Sequence, residues 1–153
     1  MKPVKWGIIS TAKIGMEKVT PGMMKSADIE VVAIASRSLK TARAAAAKLG
    51  IPKAYGSYEE MLADPEIEAV YNPLPNHLHV PLALAAAKAG KHVLCEKPIA
   101  ITAREAAKLR KVPKGIHVAE AFMVRHAQQW IEARARVRKG EIGALGAIQV
   151  FFT

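Results

Sequence analysis

Residues 4–15, VKWGIISTAKIG, carry the pattern on which the architecture turns. Val4, Trp6, Ile8 and Ile9 read as a buried strand, followed by a tight turn and a helix opening near Ala12, which is the first strand-turn-helix of a dinucleotide-binding unit. In the Gly-x-Gly-x-x-Gly fingerprint the first glycine makes the turn, the second admits a pyrophosphate to the backbone, and the third lets helix and strand pack closely. Ser10, Ala12 and Gly15 hold those places here. A serine still permits a tight turn, and Ala12 puts one methyl group between backbone and phosphate. A helix N-terminus favours an anion through its free N–H groups and dipole, so Ser10, Thr11, Ala12, Lys13 and Ile14 are candidate cofactor-binding residues. A plain strand-to-helix turn is the alternative reading of the same stretch.

The pattern repeats downstream. The first helix is expected to reach about Lys25, and Ile29 to Ala35 (IEVVAIA) is a second buried strand rich in β-branched residues. Leu39 to Leu49 is an Ala-rich helix stopped by Gly50 with Pro52 just beyond. A short strand at Ala54-Tyr55 precedes a capping box, Ser57-Tyr58-Glu59-Glu60, and a helix broken at Asp64-Pro65. Glu68 to Tyr71 is a fourth strand, Asn76 to Ala89 a helix, and His92 to Cys95 a fifth strand. A second capping box, Thr102 to Glu105, opens a helix to about Lys111. Ile116 to Ala119 is a sixth strand and Val124 to Lys139 a further helix. Strands alternating with helices in this way predict an α/β fold, a Rossmann-type doubly wound parallel sheet.

The ends and the composition set bounds. A chain of 153 residues is one ordinary domain, and half its residues are hydrophobic. The longest uncharged run, Ala69 to Ala87, contains three prolines and two histidines, so no membrane partner is expected. The basic N-terminus has too short an apolar core for a signal peptide, and the single Cys95 suits a reducing compartment; both point to the cytoplasm. Cys95 follows Val93 and Leu94 and reads as an inert strand residue. The formal charge is +10, but no basic run interleaved with aromatics appears, so nucleic acid is not an expected partner. Glu141 to Gly146 is turn-like, and Ala147 to Thr153 (AIQVFFT) alternates as a new strand in need of a sheet. The domain reading is therefore residues 1–122 for the dinucleotide-binding domain, 123–146 for a connecting helix and turn, and 147–153 for the start of a truncated substrate or oligomerisation domain.

Candidate chemistry clusters at strand ends. An NAD-specific site places an acid after the second strand to bind the ribose hydroxyls. This chain has Ala35-Ser36-Arg37-Ser38 there, and residues 31 to 58 contain no acid. A hydroxyl beside an arginine suits a 2′-phosphate, because guanidinium forks onto phosphate oxygens; Ser36, Arg37, Ser38 and Lys40 are candidates for an NADP preference, with NAD also possible. A solvated helix start is the alternative for Arg37 and Lys40, with the NADP preference the better reading. Tyr71-Asn72-Pro73-Leu74-Pro75-Asn76-His77 follows the fourth strand, where a parallel sheet opens its ligand crevice, so Pro73, Leu74, Asn76 and His79 are candidates to lie against the cofactor. Asn76 is also a good N-cap. His77 and His79, two apart on a helix, face different directions and form no metal pair. Cys95-Glu96-Lys97-Pro98 ends the fifth strand. Lys97 there can polarise a substrate oxygen or orient a nicotinamide ribose, with Glu96 holding the ammonium; a solvated ion pair is the alternative.

Taken in order, WGIISTAKIG, ASRS, YNPLPNHLH, CEKP and EAFMVR resemble the N-terminal half of the glucose-fructose oxidoreductase, inositol dehydrogenase and rhizopine-catabolism (Gfo/Idh/MocA) family, closest to its NADP-dependent sugar or dihydrodiol dehydrogenase branch. The resemblance implies a Rossmann domain followed by an open-faced antiparallel sheet domain that contacts substrate and mediates oligomer formation. It implies hydride transfer between NADP(H) and a carbinol carbon of a sugar, polyol or dihydrodiol, with Lys97 as the catalytic lysine, Glu96 and Lys97 near the nicotinamide, and Arg125 as a further cofactor contact. A surface arginine at a helix start is the plainer reading of Arg125. Three departures stand out: Ser10 and Ala12 replace glycines, the link from Arg110 to Gly115 is short, and the family's acid-base residue is expected beyond Thr153. The resulting expectation is the NAD(P)-binding half of an oxidoreductase, a homo-oligomer in its full-length form, with little turnover from this chain alone. The alternative is a non-catalytic nucleotide-binding or redox-sensing module.

Overall fold

The computed structural model describes residues 2–151. These form two compact units, divided between Ala121 and Phe122.

In the first unit six parallel strands form one sheet: β1 (Val4–Ile9), β2 (Ile29–Ala35), β3 (Lys53–Tyr55), β4 (Ala69–Asn72), β5 (His92–Cys95) and β6 (Val118–Glu120). Their order is β3-β2-β1-β4-β5-β6. The order reverses between β1 and β4, and the chain returns from the β3 edge to the other side of β1 there; such a switch point leaves a crevice at the strand C-termini. The helices are α1 (Thr20–Met23), α2 (Leu39–Leu49), α3 (Tyr58–Ala63), α4 (His79–Lys88) and α5 (Ala103–Lys108).

The period-2 alternation of the strands explains why both faces are covered. Ile9, Val70, Val93 and Cys95 pack with Met61, Leu62, Ala83 and Ala86 in one apolar cluster. Their chain neighbours Ile8 and Tyr71 join Ile34, Met23, Ala45 and Ala46 in another. Ile8 and Ile9 are both fully buried, each contributing about 1.5–3 kcal/mol by leaving water. Close packing singles out Gly7: a Cβ there would meet the Met61 sulfur at 3.0 Å. At Gly15, the fingerprint's close-packing position, a Cβ would sit at 3.4 Å from the Pro73 ring, an ordinary contact.

Helix starts follow the local chemistry. The Ser57 hydroxyl accepts from the Glu60 N–H at 3.1 Å and the Glu60 carboxylate accepts from the Gly56 N–H at 3.2 Å. Thr102 and Glu105 repeat this with the Glu105 and Ile101 N–H groups. Ser38 caps α2 by accepting from the Thr41 N–H, and Gly50 ends it at φ 70°.

Several expectations need correcting. The first helix does not run regularly to Lys25: a π-turn, Gly15–Val19, leads into α1, which ends at Met23. Asn76 caps nothing; it opens a 3-10 turn, Asn76–Leu78, whose N-cap is Pro75, and α4 begins at His79. The sixth strand starts at Val118 rather than Ile116.

The second unit consists of a 3-10 turn, Met123–His126, α6 (Gln128–Arg138) and an irregular segment. Among its described residues, the segment expected as a strand from Ala147 pairs with nothing through Phe151, since a lone strand has no ladder partner for its backbone groups. The last two residues of that expected strand lie outside the described residues.

Candidate functional site

Three strand ends converge on one cleft of about 340 Å³ in the first unit, lined by Ser10, Thr11, Ala12, Ser36, Arg37, Tyr58, Leu74, Pro75, His77 and Leu78. Its volume falls at the low end of the roughly 300–1,000 Å³ typical of ligand pockets. The turn after β1 forms one side. Ser10 adopts φ 84°, the left-handed region that glycine normally fills, so the serine reproduces the turn of the first fingerprint glycine. Its hydroxyl accepts from the Ala12 N–H at 3.2 Å and closes the loop.

The turn after β2 brings Ser36 and Arg37 to the opposite side. It is anchored where the Ser36 N–H donates to the Tyr55 carbonyl at 3.1 Å. The loop after β4 supplies Leu74 to Leu78. Asn72, fully buried, accepts from the Leu74 N–H at 3.2 Å and donates to the His79 carbonyl at 3.3 Å, which fixes the loop from below.

Ser10, Thr11, Ala12, Ser36, Arg37 and Leu74 thus meet in the cleft as the sequence suggested, while the remaining candidates take other places. The Ser38 hydroxyl is occupied as the cap of α2, and Lys40 is exposed on that helix. Lys13 and Ile14 are exposed at the start of the first helix, and Pro73 packs beside Gly15. Asn76 is exposed outside the cleft lining. His79 is a correction: its ring is only 1% exposed and faces two carbonyl oxygens, Leu74 at 2.6 Å through Nε2 and Pro98 at 2.7 Å through Nδ1. It joins the loop after β4 to the turn after β5 instead of facing a ligand. His77, which the residue pattern offered only as half of a dismissed metal pair, is the histidine that lines the cleft.

Glu96 is a second correction. Its carboxylate does not hold the Lys97 ammonium; it accepts from the buried Tyr71 hydroxyl at 2.7 Å and from the Lys97 backbone N–H at 3.2 Å. Burial and this carboxylate both push the Tyr71 phenol up, so it stays a donor. The Lys97 side chain is exposed at the end of β5 and forms no ion pair among the described residues. Its ammonium is therefore available to an incoming oxygen. Cys95 is fully buried, and burial followed by the Glu96 and Glu120 charges pushes its thiol up to about 12, as an inert strand cysteine requires.

Sequence reasoning missed Tyr58, Pro75 and Leu78 as lining residues. Tyr58 follows β3, and β3 lies next to β2 in the sheet; only the strand order could have shown that its turn opens on the same crevice. In the second unit, Arg125 lines a separate shallow cleft with Val124, Trp130, Ile131 and Arg134.

Fold and cleft define a dinucleotide-binding domain of the doubly wound type, and comparison with known proteins gives the family. The chain belongs to the Gfo/Idh/MocA oxidoreductase family with an NAD-binding Rossmann fold, which matches residues 4–126. Its relatives include ORF334, an uncharacterized oxidoreductase of Rhizobium meliloti, 56% identical over 155 residues that cover 100% of this chain and 46% of that protein. D-xylose 1-dehydrogenase (NADP(+)) 2 of Haloferax volcanii is 44% identical over 150 residues, covering 97% of this chain and 46% of the relative. The crystal structure of KijD10, a 3-ketoreductase from Actinomadura kijaniata in complex with TDP-benzene and NADP, matches with a TM-score of 0.85 at 33% identity, over 93% of this chain and 45% of that one. The chain spans about half the length of the curated relatives it matches.

The residues present fit a nicotinamide dinucleotide. The Ser10 backbone has the left-handed turn, the cleft lies at the switch point, and Ser36 with Arg37 offers a hydroxyl and a cation where an NAD site would hold an acid. Among the described residues no helix is long and apolar enough to cross a membrane.

Proposed function

We propose that this chain is the NADP(H)-binding half of an oxidoreductase that moves hydride between the nicotinamide and a carbinol carbon of a sugar, polyol or dihydrodiol. The observation that carries the reading is the convergence of the Ser10–Ala12 turn with Ser36 and Arg37 in one cleft at the β1/β4 switch point. The nicotinamide, when bound, supplies or accepts the hydride. The protein's part is binding, orientation and charge. The turn after β1 would hold the pyrophosphate through the backbone N–H groups that Ser10 leaves free, and Arg37 would fork onto a 2′-phosphate, with Ser36 adding a hydroxyl.

Lys97 is the catalytic group in this reading. Its ammonium, exposed and unpaired with Glu96, donates to the reacting substrate oxygen and stabilises the negative charge that builds there as hydride arrives at a carbonyl, or as the hydroxyl proton is lost before hydride leaves. Tyr71 orients Glu96, and Glu96 holds the Lys97 backbone, so the lysine projects from a fixed strand end. The relatives are about twice as long as this chain, and a substrate domain joined through residues 123–146 would supply the acid-base partner. Without that partner, turnover should be about 10²–10⁴ lower.

The reading is tested by calorimetric titration of the purified chain with NADPH and NADH, alongside Lys97→Ala. We expect tighter binding of NADPH, with Lys97→Ala keeping most of that affinity. A folded chain that binds neither nucleotide contradicts the proposal.

A further inference from the structure

Tyr58 is the cleft residue whose chemistry the reading above leaves unused. It opens α3 in a start that is fixed at both ends: Ser57 accepts from the Glu60 N–H and Glu60 reaches back to the Gly56 N–H. The turn before it presses against the turn after β2. The Ser36 N–H donates to the Tyr55 carbonyl, and a Cβ at Gly56 would come within 3.3 Å of the Leu39 Cβ. Glycine at 56 thus permits the close approach that sets Tyr58 beside Arg37.

The Tyr58 ring packs partly against the apolar cluster that includes Ile9 and Ala35, while the residue also lines the cleft with Ser36 and Arg37. One end is anchored in the core and the other is wet, the usual posture of a tyrosine that binds through its hydroxyl. The other two tyrosines spend their hydroxyls on carboxylates, Tyr55 on Asp64 and Tyr71 on Glu96. Among the described residues the Tyr58 hydroxyl has no such partner. Burial raises its phenol above the ordinary value and the Arg37 charge partly offsets this, so the group is a neutral donor that sits within the field of the guanidinium.

We propose that Tyr58 reads the 2′-phosphate of the dinucleotide together with Arg37, its hydroxyl donating to a phosphate oxygen that the guanidinium also grips. The assignment rests on the NADP(H) reading of the cleft. Arginine supplies charge, which any phosphate satisfies; a rigidly held hydroxyl supplies position, which only a phosphate at the ribose 2′ place satisfies.

The test is the dissociation constant of NADPH and of NADH for wild type, Tyr58→Phe and Arg37→Ala, with circular dichroism to confirm that each is folded. Tyr58→Phe keeps the ring in its packing and removes only the donor. It should weaken NADPH by roughly tenfold and leave NADH within about twofold, and 2′,5′-ADP should follow NADPH. A preference for NADPH that Arg37→Ala abolishes and Tyr58→Phe leaves intact overturns the Tyr58 assignment alone. Equal losses for both nucleotides in Tyr58→Phe also overturn it, because a hydroxyl acting on the 2′-phosphate cannot affect NADH. Equal binding of the two nucleotides by wild type overturns the NADP(H) reading and the assignment with it.

Discussion

Replacing Asp64 by asparagine separates charge from shape where an ion pair ties β3 to the loop before β4. Asp64 lies in the loop before β4, its side chain 10% exposed. Oδ2 accepts from the Lys53 ammonium at 2.7 Å and from the Tyr55 hydroxyl at 2.7 Å, and Oδ1 accepts from the Glu66 N–H at 2.9 Å. Lys53 first and Tyr55 second hold the carboxyl at about 2, against an ordinary 3.8. That depression is equivalent to roughly 2.5 kcal/mol, and the partial exposure of Lys53, 36%, screens it toward about 1–2 kcal/mol. Asparagine retains the Oδ1 acceptor for Glu66 and removes the charge. A depressed folded-state value stabilises above the unfolded value and is lost as pH falls through the folded one. Asp64→Asn should therefore unfold roughly 2–8 °C below wild type at pH 7, with about half that gap left at pH 3 and almost none near pH 2. Thermal melts followed by circular dichroism across pH 7 to 2 measure it. A gap that is constant over this range, or absent at pH 7, refutes the electrostatic account.

Other consequences are equally direct. Ser10→Gly should stabilise the chain by about 0.5–1 kcal/mol, since glycine takes φ 84° without strain, and a urea midpoint that falls would show the hydroxyl bond to Ala12 to be worth more than the strain. Tyr71→Phe removes the donor to Glu96 and should cost about 1.5–3 kcal/mol in urea unfolding; no loss would mean that the carboxylate finds water instead. The Cys95 thiol, buried and pushed up to about 12, should resist a disulfide reagent at pH 8 in the folded chain and react at once in denaturant, whereas fast reaction of the native chain would contradict its burial.

Elements with local causes were legible in the sequence. Ile29–Ala35, Leu39–Leu49 and His92–Cys95 have the bounds that β-branched runs, a Ser38 cap and a Gly50 stop imply. The Ser36-Arg37 pair was legible because the end of the second strand has a fixed meaning in a doubly wound sheet. Features set by distant partners were not. Nothing local reveals that Pro75 rather than Asn76 takes the N-cap place. Sequence sets Glu96 beside Lys97 and does not tell that Tyr71, from the adjacent strand, competes for it. The two carbonyls that hold His79 come from separate loops, which a local pattern does not reveal. The alternation from Ala147 onward carries a strand pattern, but pattern alone cannot form a ladder.

Amide chemical-shift mapping of the isotope-labelled chain during addition of NADPH tests the cleft assignment most directly. The account predicts saturable shifts concentrated at Thr11, Ala12, Ser36, Arg37 and Leu74, with Lys5 and Glu68, which bond to each other at the N-terminal ends of β1 and β4, unmoved. Shifts that miss the turns after β1 and β2, or a folded chain whose spectrum does not change, would contradict it.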